Sequence, residues 1–262
     1  MDERILVTGG TGVLGRPVVG RLLAAGHAEV RAMSRRPRPA DGGVEWVAAD
    51  LRTGQGVEAA VAGVGTIVHC AGFTGRKAEV ETVRTLVRAA LRSPTPPHLV
   101  YISIVGIDRI RLGYYLGKLE AERLIEDSGL PFTILRATQF HDLVRVVLAV
   151  SAKAPVMLVP AVRFQPIEVG EVADRLVELA LGKPAGRVPD IGGPQAGDAR
   201  ELARSYLRAT GRRRRILAVR LPGRAFRALA QGANLTPGPP FGRRTFEDYL
   251  TALPDPSATS YR

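Results

Sequence analysis

A single cysteine, Cys70, stands in a chain of 262 residues. No intramolecular disulfide can form, and no cysteine-rich zinc site can be built. The four histidines, at 27, 69, 98 and 141, include no pair at metal-ligand spacing, so no metal centre is expected. Long apolar runs are also missing. The longest, Leu143–Val150, contains Arg145, and a membrane span needs about 18 such residues. The opening Met1-Asp2-Glu3-Arg4 is charged and lacks the apolar stretch of a signal peptide. A soluble cytoplasmic protein with no membrane partner is expected.

Acidic residues are scarce near the end of the chain. Residues 200–262 hold 13 arginines and four acids (Glu201, Glu247, Asp248 and Asp255), which accounts for nine of the net charge of +12. Lysine is scarce everywhere: 33 of the 37 basic residues are arginine. That skew marks arginine as the default surface cation. No basic segment is interleaved with aromatics, and no recognition-helix pattern appears. A solvated basic face is therefore expected rather than a nucleic-acid surface. The expected partner is a small molecule, bound by a monomer or homodimer.

Hydrophobic residues make up 45% of the chain and charged residues 24%, an ordinary globular composition. The length suits one α/β domain. Strand and helix signals alternate. Strands are expected at 4–8, 29–34, 44–48, 66–70, 98–103 and 132–135. Helices are expected at 12–25, 57–62, 79–92 and 115–128. Such alternation implies βαβ units, hence a doubly wound parallel sheet with helices on both faces. Beyond residue 139 the pattern loosens. Helices are read at 139–152, 169–181, 199–210, 222–231 and 243–250, and strands near 156–159 and 187–191. A single domain follows, with a dinucleotide-binding core over 1–138 and a small substrate-covering subdomain from 139–262.

Gly9-Gly10-Thr11-Gly12-Val13-Leu14-Gly15 lies directly between the first strand and the first helix. This strand–turn–helix context makes a glycine triplet specific. Gly9 permits a tight turn, Gly12 lets backbone approach a pyrophosphate, and Gly15 lets the helix pack on the sheet. Thr11, Val13 and Leu14 complete a loop whose N–H groups receive phosphate at the helix N-terminus. The second strand ends Met33-Ser34-Arg35-Arg36, without the acid that bonds a ribose 2′-hydroxyl. Ser34, Arg35 and Arg36 suit a 2′-phosphate instead, which favours NADP(H) over NAD(H). Asp50, with Leu51 beside it, is placed to meet the adenine or to close a turn. Ala71 and Gly72 end the fourth strand and leave room for the cofactor ribose.

Tyr114 and Lys118 are four residues apart and share one helical face. A lysine cation lets a neighbouring phenol exchange a proton near neutral pH. Ser103 ends the fifth strand, where ligands of such sheets bind. Tyr114 is expected as acid or base, Lys118 as the group that holds the ribose and tunes Tyr114, and Ser103 as the group that orients a carbonyl oxygen. Substrate contacts are expected from Phe73, Val105, Tyr115, Gln139, Phe140, His141, Phe164 and Gln165. Several are apolar, so an uncharged, moderately hydrophobic carbonyl or enone fits.

Thr8-Gly9-x-x-Gly12-x-x-Gly15, Ala71-Gly72 and Ser103 with Tyr114-x-x-x-Lys118 resemble the short-chain dehydrogenase/reductase superfamily. Leu135-Arg136-Ala137-Thr138-Gln139-Phe140 and Gln165–Ala173 resemble its extended and atypical members, the NmrA-like NAD(P)-binding proteins. The resemblance spans residues 3–210, departs where Ala137 replaces a common proline, and implies a Rossmann core with a bound nicotinamide dinucleotide. Taken with Ser34-Arg35-Arg36, an NADP-dependent oxidoreductase is expected. Some atypical members are redox-sensing regulators that act through a protein partner without turnover, which is the alternative.

Overall fold

The computed structural model describes residues 4–26, 29–40, 42–72 and 75–261. Two units are distinguished within the chain. The first comprises 1–103, 113–136 and 172–189, and the second 104–112, 137–171 and 190–262.

The first unit is built on seven parallel strands: β1 (Ile5–Thr8), β2 (Val30–Ser34), β3 (Val44–Ala48), β4 (Thr66–His69), β5 (His98–Ile104), β6 (Phe132–Ala137) and, further along the chain, Gly186–Arg187. The order is β3-β2-β1-β4-β5-β6, with Gly186–Arg187 at the outer edge. From β1 the chain steps outward to β3, then returns to lay β4 on the other side of β1. Ile5 thus pairs with Val30 on one flank and with Thr66 on the other. Order reverses at this point, and a doubly wound sheet binds ligands outside the carboxyl ends of its strands there. All residues of β1 and β4 are buried, as near-continuous apolar strands covered on both faces must be.

Side-chain alternation divides the core. Leu6, Ile67, Leu99, Tyr101 and Ile134 point to one face, where α2 (Val57–Val61), α3 (Arg76–Leu91) and α4 (Gly113–Glu126) cover them. On the other face α1 (Gly15–Ala25) packs against β1 and β2. It is tied through Arg21 to Asp174 of the helix Val169–Leu181. The doubly wound α/β expectation thus holds. Helix α1 starts at Gly15 rather than 12, because the Gly12 N–H donates to the Gly9 carbonyl at 2.8 Å and closes a turn first. The strand expected over 187–191 shrinks to Gly186–Arg187, with one bridge from Ile191 to Ala137. Pro189 carries no N–H to continue the ladder.

In the second unit α5 (His141–Ser151) leads into β7 (Val156–Pro160) and the short β8 (Arg163–Phe164). The helix Val169–Leu181 is α6 and the strand Gly186–Arg187 is β9. After them come β10 (Gly197–Asp198), α7 (Ala199–Ala209), β11 (Arg215–Val219), α8 (Arg224–Ala230) and α9 (Phe246–Thr251). β7 pairs in parallel with β11, and β8 pairs antiparallel with β10. Val144, Leu148, Met157, Leu202, Tyr206, Phe246 and Tyr249 form the core. The last helix starts at Phe246 rather than 243, because Thr245 caps it reciprocally with Asp248. Among the described residues no helix is long and apolar enough to cross a membrane.

Candidate functional site

The glycine loop leaves β1 under tight steric control. Gly9 has φ +67°, and a Cβ there would lie 2.8 Å from the Ala71 nitrogen. A Cβ on Gly15 would meet the Gly9 carbonyl oxygen at 2.1 Å. Only glycine permits this crossing of loop, helix and β4 extension. Thr11 and Gly12 are exposed at its tip, and no side chain caps the N-terminus of α1. First-turn N–H groups and an uncovered loop form a cradle for an anionic pyrophosphate. Leu14 is buried and anchors the loop from below.

Along the same edge, Ser34 ends β2 and its hydroxyl accepts from the Arg36 N–H at 3.3 Å. Arg35 and Arg36 are exposed and make no ion pair among the described residues. Arg38 lies 4.9 Å over the ring of Trp46, and a Cβ on Gly10 would approach that ring at 3.6 Å. Arg38 is a third guanidinium beside the glycine loop that sequence reasoning missed. Its only signal was the tryptophan on β3. Asp50 takes the turn role: its carboxylate accepts from the Arg52 N–H at 2.8 Å, and its carbonyl accepts from Gly54. The side chain of Leu51 belongs to the core under the sheet.

Beyond β4, the Ala71 nitrogen lies 3.4 Å from the Thr8 hydroxyl. Gly72 faces the Tyr114 phenol, which a Cβ on Gly72 would meet at 3.6 Å. Tyr114 and Tyr115 open α4 edge to face, with centroids 6.4 Å apart. Ser103 lies two residues past the His69–Tyr101 partner pair of β4 and β5. Its hydroxyl is buried with no hydrogen-bond partner among the described residues. An orphaned hydroxyl at the carboxyl end of a central strand fits a cofactor or substrate polar group. The structure thus gathers Gly9 to Gly15, Ala71, Gly72, Ser103, Tyr114 and Lys118 within the first unit.

Lys118 is more deeply held than its spacing suggested. It is only 3% exposed, and its Nζ lies 2.8 Å from Glu79 Oε1 on α3, whose side chain is fully buried. The ammonium also donates to the Ile102 carbonyl at 3.1 Å and sits 4.5 Å over the Tyr101 ring. Tyr101 donates to Glu79 Oε1 at 2.8 Å and stacks on His69. His69 Nδ1 pairs with the Thr8 hydroxyl at 2.7 Å. Burial pushes His69 down to about 4, so the ring is neutral. Burial pushes the Cys70 thiol up to about 12, which removes thiolate chemistry at neutral pH. One turn after Lys118, Glu122 accepts a buried bidentate pair from Arg136 on β6.

Of the expected substrate contacts, Val105, Gln139, Phe140, His141, Phe164 and Gln165 lie in the second unit, and Tyr115 lies in the first. Phe73 lies outside the described residues. In the second unit Val105 is buried, and its N–H donates to the Ala137 carbonyl. Phe140 precedes α5 and bridges to Ile167. Phe164 packs on the unit's core. Gln165 accepts from Thr236 through its carbonyl oxygen and donates to the Gly193 carbonyl at 2.9 Å. Gln139 accepts from Asn234 at 3.3 Å, and its own amide nitrogen has no partner among the described residues. His141 lies between Phe246 and Tyr249 and pairs with the Arg244 carbonyl. Burial holds it down at about 4. Asp142, beside it in the first turn of α5, accepts from the Tyr249 hydroxyl at 2.9 Å. Among the described residues no cluster of His, Cys, Asp or Glu could hold a metal ion.

A glycine cradle at the switch point of a doubly wound parallel sheet defines a dinucleotide-binding Rossmann protein. The NAD(P)H-binding family model matches residues 9–180, and the chain belongs to that family. A reductase of (4-alkanoyl-5-oxo-2,5-dihydrofuran-3-yl)methyl phosphate from Streptomyces griseus is 31% identical over 223 residues, covering 79% of this chain and 74% of that protein. A nucleoside-diphosphate-sugar epimerase from Staphylococcus aureus superposes with a TM-score of 0.81 at 21% identity, over 95% of this chain and 99% of that one. The Citrobacter triphenylmethane reductase complexed with NADP(H) superposes with a TM-score of 0.78 at 20% identity, over 95% and 100%. An uncharacterised Mycobacterium tuberculosis protein is 31% identical over 134 residues, but the match spans only 14% of its length. The chain is thus a member of the NAD(P)H-binding family, as the NmrA-like resemblance implied.

Proposed function

We propose that the protein is an NADP(H)-dependent reductase of the atypical short-chain type, acting on an uncharged, moderately hydrophobic carbonyl or enone. The observation that carries this reading is the Tyr114 phenol placed against Gly72 at the end of β4, on the helix that carries Lys118. The Streptomyces relative, a reductase by name, supports it.

The glycine loop would hold the pyrophosphate on Gly12, Val13 and Leu14 backbone, with Gly9 and Gly15 permitting the approach. Ser34, Arg35 and Arg36 would hold a 2′-phosphate by charge-assisted hydrogen bonds. Lys118 would hold the nicotinamide ribose. The bound nicotinamide supplies or accepts a hydride at its C4 position. Tyr114 would give a proton to the oxygen that becomes negative, and the orphaned Ser103 hydroxyl would orient that oxygen. Tyr115, edge to face with Tyr114, would contact the apolar part of the substrate.

NADPH and NADH titrated against the protein, followed by NADPH consumption with a panel of ketones, quinones and enones, test the reading. Tighter NADPH binding with turnover of an uncharged acceptor is expected. Equal affinity for the two cofactors would remove the 2′-phosphate assignment, and binding without turnover would remove the enzyme.

A further inference from the structure

Four groups of the first unit form an unbroken buried chain from α4 to β1: Lys118, Glu79, Tyr101 and His69, ending on the Thr8 hydroxyl. Two full charges in this chain lie away from water, which is costly unless each is matched. The match is made at one atom, Glu79 Oε1, which receives both the ammonium and the Tyr101 phenol at 2.8 Å. Gly117 makes the approach possible. A Cβ there would lie 2.9 Å from the Arg76 Cα and 3.4 Å from the Glu79 Cβ, so a larger residue would drive α4 off α3.

We propose that Glu79 is a positioning residue for the nucleotide site: it fixes the Lys118 ammonium as an immobile cation beside Tyr114 and, among the described residues, supplies that cation's compensating charge. Cofactor affinity then stays constant across the alkaline range in which a buried, uncompensated lysine would lose its proton. The assignment of Lys118 to the cofactor ribose, made under the proposed function, is presupposed.

Burial by itself pulls Lys118 down, but Tyr101, Glu79 and Tyr114 outweigh it and hold the ammonium above its ordinary range. Tyr101 cannot supply the charge, since burial pushes its phenol well above its ordinary value and leaves it neutral. His69, on β4, is a neutral ring. Cys70, at the end of that strand, is a neutral thiol. On α4 itself, Glu122 is bound on both oxygens by Arg136. Arg76, at the start of α3, is paired with Glu120. Glu79 is the carboxylate on the Lys118 ammonium.

The test is the NADPH dissociation constant, measured by calorimetry at pH 7, 8, 9 and 10, for the native protein, Glu79→Gln and Lys118→Met. Glutamine keeps the size and an acceptor oxygen but drops the charge, so the carboxylate that opposes the burial of Lys118 is lost. The native protein should bind with a flat profile. Glu79→Gln should lose affinity by about tenfold or more across the range, as each pKa unit carries a factor of ten. Lys118→Met should bind weakly at every pH. A flat profile in Glu79→Gln, tight or uniformly weak, would overturn the proposal, since a packing role weakens binding equally at all pH. Native-like affinity in Lys118→Met would overturn it too. If the native protein binds no NADPH, the proposed function fails instead. Should Glu79→Gln not fold, the double variant with Lys118→Met, which buries no charge, should fold. A double variant that also stays unfolded would show that the carboxylate serves packing alone and would overturn the proposal.

Discussion

Replacing Gly15 by alanine sets two effects against each other, and the geometry says which wins at each level. Alanine is favoured over glycine in a helix by about 1 kcal/mol. The added methyl, however, would lie 2.1 Å from the Gly9 oxygen, 2.7 Å from its carbon and 2.9 Å from the Gly10 Cα. All three are backbone atoms, so the glycine loop must shift by about 1 Å to restore ordinary contact. Such overpacking costs about 1–3 kcal/mol. The net loss of stability should be about 0–2 kcal/mol, because the helix preference offsets part of the strain. A loop displaced by about 1 Å should cost cofactor affinity far more, of the order of 10²-fold. Gly20 provides the control within the same helix. It is exposed, and a Cβ there meets nothing within 4 Å, so Gly20→Ala should stabilise by up to about 1 kcal/mol and leave binding intact. Urea denaturation and NADPH titration on the three proteins separate the effects. NADPH affinity within twofold of native in Gly15→Ala would refute the cradle.

Other consequences are as specific. Tyr114→Phe should lower kcat by about 10²–10⁴ with NADPH affinity nearly unchanged, and full turnover in that variant would make the tyrosine structural. Arg35→Ala should remove most of the NADPH preference, about 1.5–3 kcal/mol for a charged hydrogen bond, read as the ratio of NADPH and NADH dissociation constants. Glu122→Gln should cost about 3–5 kcal/mol in chemical denaturation, since it removes the carboxylate paired with the buried Arg136 guanidinium. His69 and His141 are held down at about 4, below an unfolded value of about 6.5. As pH falls from 6.5 towards 4 the unfolded chain takes up protons that the native chain refuses, so each ring should lower stability by up to about 3 kcal/mol across that window. His141→Phe should flatten this slope in urea titrations between pH 4 and 7, and an unchanged slope would contradict the buried neutral ring.

The Rossmann core was legible because its signals are local. An apolar β1, a glycine triplet at its end and an apolar-periodic α1 read correctly from spacing alone. Glu79 was not legible in its role, because the residue that it serves is 39 positions away on another helix. Only the missing Cβ of Gly117 brings the two together. Arg38 was hidden among many arginines, and its distinction is the Trp46 ring beneath it. β11 was missed because Arg212 to Arg215 mask its start, although Ile216 and Ala218 alternate inward against β7. The substrate contacts were the least legible. Val105, Phe164 and Gln165 are apolar or amide residues whose partners lie far away in sequence, and they carry no periodic signal.

Transfer of label from cofactor to product tests the central claim most directly. NADPH carrying deuterium at both C4 positions of the nicotinamide would be incubated with the native protein and a panel of uncharged ketones and enones, whose reduced carbon retains the label, and the products analysed by mass spectrometry. A reductase predicts one deuterium in the reduced product, and a transfer rate that falls by about 10²–10⁴ in Tyr114→Phe. NADPH that binds tightly yet keeps its deuterium with every acceptor would contradict the account and identify a nicotinamide sensor in place of an enzyme.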